Sequence, residues 1–246
     1  MRRIQAIGLA LAVILIGVTI VVFAVPSIMN GPVCGGGVYN AKVGSMLGYD
    51  FGQPAYNLTF TKNGGQETGL YDSAMSSSIS WIKANTPSGA VFMNWWDYGK
   101  EIVGCTGRGS VISNPSMRFV AMGFASGRQP LRDSEEALTD VGTALFTTNA
   151  TLAHSIASKY GTSYLLITVE EGGLKAPYIL KYLGLNTSDY FVSNSTGTTN
   201  PPGGFSPQSW TTLGQQTVVY RLLDGQSVPG FVQVYSDSSV KIFSVG

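Results

Sequence analysis

Five consecutive residues, Trp95-Trp96-Asp97-Tyr98-Gly99, carry the strongest chemical signal in the chain. Neighbouring side chains of a strand point to opposite faces, so Trp95 and Trp96 cannot both pack into one core within a strand. Where a strand runs into a turn, the two indoles could instead wall a small pocket, with N–H donors beside the Asp97 carboxylate. Such a pocket suits a single hydroxyl and rejects an analogue that lacks it. Gly99 is expected to let the chain turn sharply.

A second interpretation of the same run requires no ligand. Trp95 and Trp96 then form a buried aromatic pair, and Asp97 caps the helix that follows. The residue types alone leave both interpretations open.

The run resembles the signature pentapeptide of the catalytic subunit of oligosaccharyltransferase, and it is most similar to the archaeal single-subunit enzymes. Flanking residues are similar as well: Ser80-Trp81 and Asn85-Thr86-Pro87 lie before the run, and Arg108 and Ser113-Asn114 follow it. The similarity covers residues 76–180 well and the C-terminal strands loosely. This family transfers a lipid-linked oligosaccharide to the asparagine of Asn-x-Ser/Thr, and its external C-terminal domain binds the Ser or Thr.

The resemblance implies that Trp95, Trp96 and Asp97 bind the acceptor hydroxyl, with Tyr98 and Gly99 in support.

A second family element, usually an acid followed by a lysine or methionine, falls near Glu170–Lys175 in this chain. Thr168 or Val169 stands where the family has an aspartate, so the match departs from the pattern there. Lys175 and Ile179, four residues apart, are the candidates to contact the threonine methyl. A solvent-facing lysine beside a buried isoleucine is the alternative.

No catalytic residue and no metal site is expected in this chain. In the family, the metal-binding carboxylates and the lipid-pyrophosphate site belong to a large multi-span region that precedes this domain. A divalent metal, Mn or Mg, and the lipid-linked oligosaccharide are therefore implied only for the complete enzyme. The chain is predicted to be a fragment or split part that binds an acceptor polypeptide and transfers nothing alone.

Other candidate sites are disfavoured by composition and spacing. A formal charge of +1 offers no field for nucleic acid. A single histidine, His154, and two cysteines, Cys34 and Cys105, do not have zinc-like spacing. The two cysteines either form a disulfide or remain thiols. The acidic residues near position 135 are expected to be a solvated helix face. They are Asp133, Glu135, Glu136 and Asp140.

Residues 4–25 are uncharged and almost entirely apolar, enough for a helix to cross a hydrocarbon core of about 30 Å. Arg2 and Arg3 precede this segment, which predicts a cytoplasmic N-terminus. The protein is thus expected to be single-pass, with the lipid bilayer as a partner and its globular domain on the external face. A signal peptide cleaved after residues 22–24 is the alternative, and it leaves residues 30–246 in the same compartment.

Apolar periodicity predicts an α/β core with a mixed, partly parallel sheet and a β-rich C-terminal appendage. The predicted helices are 76–85, 117–126, 151–159 and 175–183, and the predicted strands are 91–93, 111–112, 163–168, 217–222, 231–235 and 240–245. The predicted domains are a membrane anchor (1–29), an irregular linker (30–75), the core (76–192) and the appendage (193–246).

Four Asn-x-Ser/Thr sequons, at Asn57, Asn149, Asn186 and Asn194, fit an external location, although this composition yields several by chance. Two rival functions also fit the sequence. One is a stand-alone, membrane-anchored peptide-binding module without catalysis. The other is a carbohydrate-binding domain in which Trp95 and Trp96 form an exposed stacking platform.

Overall fold

The computed structural model describes residues 38–39, 55–62, 65–123, 133–192 and 205–246. The chain divides into two compact units, with the boundary between Ser73 and Ala74. The predicted membrane-spanning segment, Cys34 and Asn194 lie outside the described residues. Within these described ranges, no helix is both long enough and apolar enough to cross a membrane.

The first unit contains a three-stranded antiparallel sheet of β1 (Val38–Tyr39), β2 (Ala55–Lys62) and β3 (Gly65–Asp72), in that order. The sequence interpretation of an irregular linker over 30–75 is therefore wrong for these residues. Apolar residues alternate with polar ones through β2, which is the strand period, and Asn63-Gly64 is a typical hairpin dipeptide. The surrounding glycine, proline and asparagine content masked that pattern.

The second unit surrounds a five-stranded sheet with helices. Its helices are α1 (Ser76–Asn85), α2 (Trp96–Thr106), α3 (Met117–Ala121), α4 (Glu135–Phe146), α5 (Ala150–Lys159), α6 (Ala176–Tyr182), α7 (Thr187–Tyr190), α8 (Thr212–Gln215) and α9 (Val218–Leu223). Its strands are β4 (Val91–Met93), β5 (Gly109–Ser110), β6 (Tyr164–Thr168), β7 (Phe231–Ser236) and β8 (Val240–Val245).

The strand order is β5-β4-β6-β8-β7. Strand β4 runs parallel to both β5 and β6, whereas β8 runs antiparallel to β6 and β7. The prediction of an α/β core with a mixed, partly parallel sheet is confirmed. The β7–β8 hairpin is also confirmed, and it forms one edge of the core sheet through β8.

The predicted strand at Val111-Ile112 is wrong, because pairing ends earlier, with β5. The Val111 N–H still donates to the Phe92 carbonyl at 2.9 Å. The Ile112 carbonyl instead accepts from the Ser110 hydroxyl at 2.6 Å, so the chain has left the sheet by that residue.

The predicted strand over Thr217–Leu222 is also wrong, since Val218–Leu223 forms α9. The Thr217 hydroxyl accepts a hydrogen bond from the Tyr220 N–H at 3.3 Å and so caps the helix. An N-cap of this kind contributes about 1 kcal/mol, which is enough to outweigh the small strand preference of the two valines. The helix then buries an apolar face in the core.

Candidate functional site

The aromatic run lies where β4 passes into α2. Trp95 has an extended backbone (φ −66°, ψ 151°) and occupies the N-cap position, and Trp96 is the first residue of the helix. The Trp95 indole is 2% exposed and meets the Phe119 ring edge-on at 5.6 Å between centroids. Trp96 is partly exposed and meets the same ring at 6.2 Å. The two indoles therefore share Phe119 but differ in their access to solvent.

Gly99 does not form the sharp turn that the sequence suggested, because it lies within the first turns of α2. Its missing side chain serves a different purpose. A Cβ at this position would lie 2.0 Å from the Ile112 carbonyl oxygen and 2.6 Å from the Ser113 Cα. Only glycine allows α2 to approach the backbone of the loop after β5 so closely.

Asp97 lies in the first turn of α2, where the helix dipole favours a carboxylate. It makes no cap hydrogen bond, so the interpretation of Asp97 as a helix cap does not describe it. Its Oδ2 is 2.6 Å from the Lys175 Nζ. Its Oδ1 is buried, and the described residues offer that oxygen no hydrogen-bond partner. The carboxylate thus has one oxygen paired with a cation and one oxygen without a hydrogen-bond donor among the described residues.

Lys175 stands immediately before α6, 78 residues along the chain from Asp97, and only 17% of its side chain is exposed. Its Nζ is 2.8 Å from Glu170 Oε2 and 4.0 Å from Glu171 Oε1. Burial alone would disfavour the ammonium, but the Asp97, Glu171 and Glu170 carboxylates raise the pKa of Lys175 above its ordinary value. The lysine therefore stays charged.

Tyr98 lies against the Lys175 side chain. The Lys175 Nζ lies 3.8 Å from the centre of the Tyr98 ring and donates a hydrogen bond to its hydroxyl. That hydroxyl is also 2.9 Å from the Thr168 Oγ1 and donates to Glu170 Oε2 at 2.9 Å. Burial, with the negative charges of Glu171, Asp97 and Glu170, raises the pKa of Tyr98 well above its usual range. The phenol remains a neutral, fixed donor.

Glu171 lies beneath these residues and is only 1% exposed. Its Oε2 accepts from the Thr168 backbone N–H at 2.6 Å and from the Thr168 hydroxyl at 2.7 Å. Burial raises the pKa of Glu171 to about 7; Lys175 opposes this shift and Asp97 adds to it. By contrast, Glu170 has a lowered pKa: burial raises it, but the charge of Lys175 and the hydrogen bonds from Lys175 and Tyr98 together outweigh burial. We call Asp97, Tyr98, Glu170, Glu171 and Lys175 the buried lysine cluster.

The sequence analysis placed the second element near Glu170–Lys175 but assigned no role in the site to Glu170, Glu171 or Thr168. The acid was sought at position 168 or 169, but the turn after β6 brings the next two residues to the lysine instead. The four-residue spacing between Glu171 and Lys175 was an available signal.

Ile179, the other predicted residue of the second element, is fully buried in α6. A Cβ added to Gly142 of α4 would lie 3.3 Å from the Ile179 Cγ2, so this isoleucine packs toward that helix. Its described role is packing, and a role in acceptor binding stays a prediction.

The remaining predicted candidates have structural partners. His154 meets the Phe231 ring edge-on at 6.3 Å. Asp133 accepts from the backbone N–H groups of Ser113 and Asn114. Cys105 is disulfide-bonded, and its predicted partner lies outside the described residues. In the part of the chain that the structure describes, no group of three or more His, Cys, Asp or Glu side chains could hold a metal ion.

Comparison with solved structures returns archaeal oligosaccharyltransferases. The C-terminal globular domain of oligosaccharyltransferase from Archaeoglobus fulgidus is 20% identical, with a TM-score of 0.46, over 72% of this chain and 99% of that domain. An oligosaccharyltransferase from the same organism, tethered to an acceptor peptide containing the NVT sequon, is 16% identical, with a TM-score of 0.49. That match covers 69% of this chain and 24% of the enzyme.

A third structure, the enzyme in complex with an inhibitory peptide and a dolichol-phosphate, is 16% identical over 69% of this chain and 23% of its own, with a TM-score of 0.48. Neither a protein-family model nor a curated protein matches the sequence. The chain thus spans nearly all of the isolated domain and about a quarter of the whole enzymes.

Proposed function

We propose that this chain is the acceptor-recognition domain of an asparagine-linked oligosaccharyltransferase. In this proposal, Asp97 and its surroundings bind the hydroxyl of Asn-x-Ser/Thr. The observation that carries the proposal is the state of the Asp97 carboxylate: Oδ2 is paired with Lys175, and Oδ1 is buried without a hydrogen-bond donor from the described residues.

A serine or threonine hydroxyl would satisfy that oxygen by donating to it. An unsatisfied buried acceptor costs about 1–3 kcal/mol, so the hydroxyl removes a penalty that an apolar isostere leaves in place. Lys175 pairs with Asp97 Oδ2 and orients the carboxylate, while Tyr98 and Glu170 position Lys175. The unusual pair of adjacent tryptophans then forms one wall, with only Trp96 reaching solvent.

Catalysis is assigned to other parts of the enzyme. On the sequence resemblance, a multi-span region supplies the metal-binding carboxylates and the site for the lipid-linked oligosaccharide. The proposal also includes the expected membrane anchor over residues 4–25, with the domain on the external face. An acceptor or inhibitory peptide and a dolichol-phosphate are bound to the archaeal enzymes found by comparison, and the proposal assigns the same classes of partner here.

The rival carbohydrate platform is disfavoured by the burial of Trp95. A stacking surface for a sugar needs accessible ring faces, and Trp95 is 2% exposed. One partly exposed indole, Trp96, is a smaller surface than that hypothesis requires. The stand-alone peptide-binding module uses the same pocket and differs only in the absence of an enzyme partner.

Peptide titration tests the proposal directly. The full chain, in detergent micelles, is titrated with a labelled Asn-Ala-Thr peptide and with a matched Asn-Ala-Val peptide. We expect the threonine peptide to bind at least about tenfold more tightly, because valine leaves Asp97 Oδ1 unsatisfied. Asp97→Asn should abolish this preference, whereas Asp140→Asn should preserve it.

Equal affinity for the two peptides in the wild-type chain would overturn the proposal. Circular dichroism and the unfolding midpoint of Asp97→Asn show whether a loss of preference reflects the pocket or a general loss of fold.

A further inference from the structure

The acceptor site leaves one sequence feature unused, the sequons of the chain itself. Two of them, at Asn149 and Asn186, lie in the second unit, and both asparagines are exposed N-caps of helices. Their side-chain hydrogen bonds differ, and the difference decides which amide nitrogen is available for modification.

Asn149 caps α5 through its carbonyl oxygen alone. Its Oδ1 accepts from the Thr151 N–H at 3.0 Å and from the Leu152 N–H at 3.2 Å. Both described side-chain hydrogen bonds therefore use the oxygen, and no described residue accepts a hydrogen bond from Nδ2. An amide that carries a sugar on its nitrogen keeps the carbonyl oxygen, so the cap survives the modification.

Asn186 makes hydrogen bonds through both the oxygen and the nitrogen of its side-chain amide. Its Oδ1 accepts from the Ser188 N–H at 3.3 Å, and its Nδ2 donates to Asp189 Oδ1 at 3.4 Å. A sugar on this nitrogen would replace one of the two N–H groups next to a carboxylate. Its cap would also rest on a single hydrogen bond from the helix backbone.

The surface next to Asn149 provides both space and hydrogen-bonding groups. Thr147 and Thr148, which immediately precede it, line an open cavity of about 400 Å³ with Thr139 and Thr143 of α4. Leu185 and Leu213 add partly exposed apolar surface to the lining of the same cavity. Neutral hydroxyls beside apolar patches match the chemistry of a sugar ring, which has polar edges and apolar faces.

We propose that Asn149 carries an N-linked glycan whose first sugars lie over this threonine-lined cavity. In the transfer, Nδ2 forms a bond to the anomeric carbon of a lipid-linked oligosaccharide, and the bond from that carbon to the phosphate oxygen breaks. The lipid pyrophosphate leaves with the electron pair, and Nδ2 loses one proton. The donor and its transferase belong to the compartment that holds the domain, and the proposal is independent of whether this chain binds acceptors.

Mass spectrometry of the native protein, purified from its own membranes and digested, tests this inference. We expect the peptide that contains Asn149 to carry the mass of an oligosaccharide in most molecules. Re-expressed in the same cells, Thr151→Ser keeps the sequon and should keep that mass. Thr151→Ala removes the sequon but leaves the Asn149 cap in place, and the added mass should disappear.

Asn149→Asp is the matched structural control, because aspartate caps a helix as well as asparagine but offers no nitrogen. It should lose the glycan and retain the unfolding midpoint of the deglycosylated wild-type protein. A bare Asn149 in the native protein would overturn the proposal, as would an added mass that persists in Thr151→Ala. So would a glycan on Asn186 with Asn149 unmodified. The measurement on the native protein needs no variant, so it tests glycosylation at Asn149 even if a variant fails to accumulate.

Discussion

Two lysines in this domain have nearly the same partners and very different surroundings. Lys175 meets Asp97, Glu170 and the Tyr98 ring, with 17% of its side chain exposed. Lys159 is 2.5 Å from Glu136 and 2.6 Å from Asp140, and its Nζ is 5.1 Å from the centre of the Tyr160 ring, with 46% of its side chain exposed.

The two lysines have similar neighbours, so the burial of the lysine side chain separates the candidate site from the solvated helix face. We call Lys159, Glu136, Asp140 and Tyr160 the exposed lysine cluster. Water screens its charges and competes for its hydrogen bonds, so such a cluster contributes little to stability. In the buried lysine cluster, Lys175 and Glu171 depend on their neighbours, because solvent reaches little of either side chain.

The largest loss of stability is expected at Gly99, whose backbone lies beside the buried lysine cluster. Gly99→Ala should lower the free energy of unfolding by about 3 kcal/mol or more, because the new Cβ would collide with the Ile112 carbonyl. Chemical denaturation measures this loss. Gly89→Ala is the control, since no atom lies within 4 Å of a Cβ there, and a similar loss in both variants would contradict the explanation.

Exchanging each lysine for methionine tests the comparison itself. Lys175→Met leaves the Asp97, Glu170 and Glu171 carboxylates without their cation, so it should cost about 3 kcal/mol of unfolding free energy. Lys159→Met should leave the unfolding midpoint unchanged within error. Denaturant titrations of the two variants in parallel give the result, and equal losses would show that burial does not distinguish the clusters.

The buried lysine cluster should also respond to pH through Glu171. Its pKa is raised to about 7 in the folded chain, so the folded state binds the proton more tightly than the unfolded state does. The stability that this proton contributes is fully present below about pH 4.5 and is lost as pH rises through 7, on the order of 3 kcal/mol in total.

Glu171→Gln should flatten this part of the pH profile of unfolding free energy, measured between pH 4.5 and 8. Glu136→Gln, in the exposed lysine cluster, serves as the control and should keep the wild-type slope. A wild-type slope in Glu171→Gln would assign the pH dependence to a different group.

The smallest expected effect concerns the two tyrosine hydroxyls. Tyr98→Phe removes a buried hydroxyl that contacts Thr168, Glu170 and Lys175, and it should cost about 1 kcal/mol. The Tyr160 hydroxyl donates only to Asp140, at 2.8 Å, in a partly solvated position. Tyr160→Phe should therefore lose less, and the two unfolding midpoints measured side by side check the order.

Sequence patterns predicted the parts of the fold that depend on local signals. The α1 helix lies where it was expected, since apolar periodicity and the following Thr86-Pro87 define it. The β4 strand also lies where it was expected, because it is a short apolar run that ends at the aromatic residues. The α9 helix was missed because one capping threonine outweighed strand-favouring valines. The β2–β3 hairpin was missed because composition was given more weight than alternation.

The candidate site was predictable in part for a similar reason. The run from Trp95 to Gly99 is contiguous, so sequence alone could single it out. The pairing of Asp97 with Lys175 joins residues 78 positions apart, and only the packing of α2 against the turn after β6 brings them together. The contributions of Glu170 and Glu171 depend on the path of that turn, which no local pattern specifies.

The close approach at Gly99 has a consequence for how fast an acceptor peptide would bind under the proposed function. Since the helix backbone is in contact with the Ile112–Ser113 backbone there, Asp97 cannot slide or tilt toward a ligand without displacing that loop as well. Under the proposed function, the backbone at Asp97 is therefore set before any peptide arrives, and side-chain movement must expose the buried Oδ1 to the acceptor hydroxyl. If the chain binds acceptors as proposed, association rates should then vary with the flexibility of the acceptor segment, while the backbone on this side of the complex stays fixed.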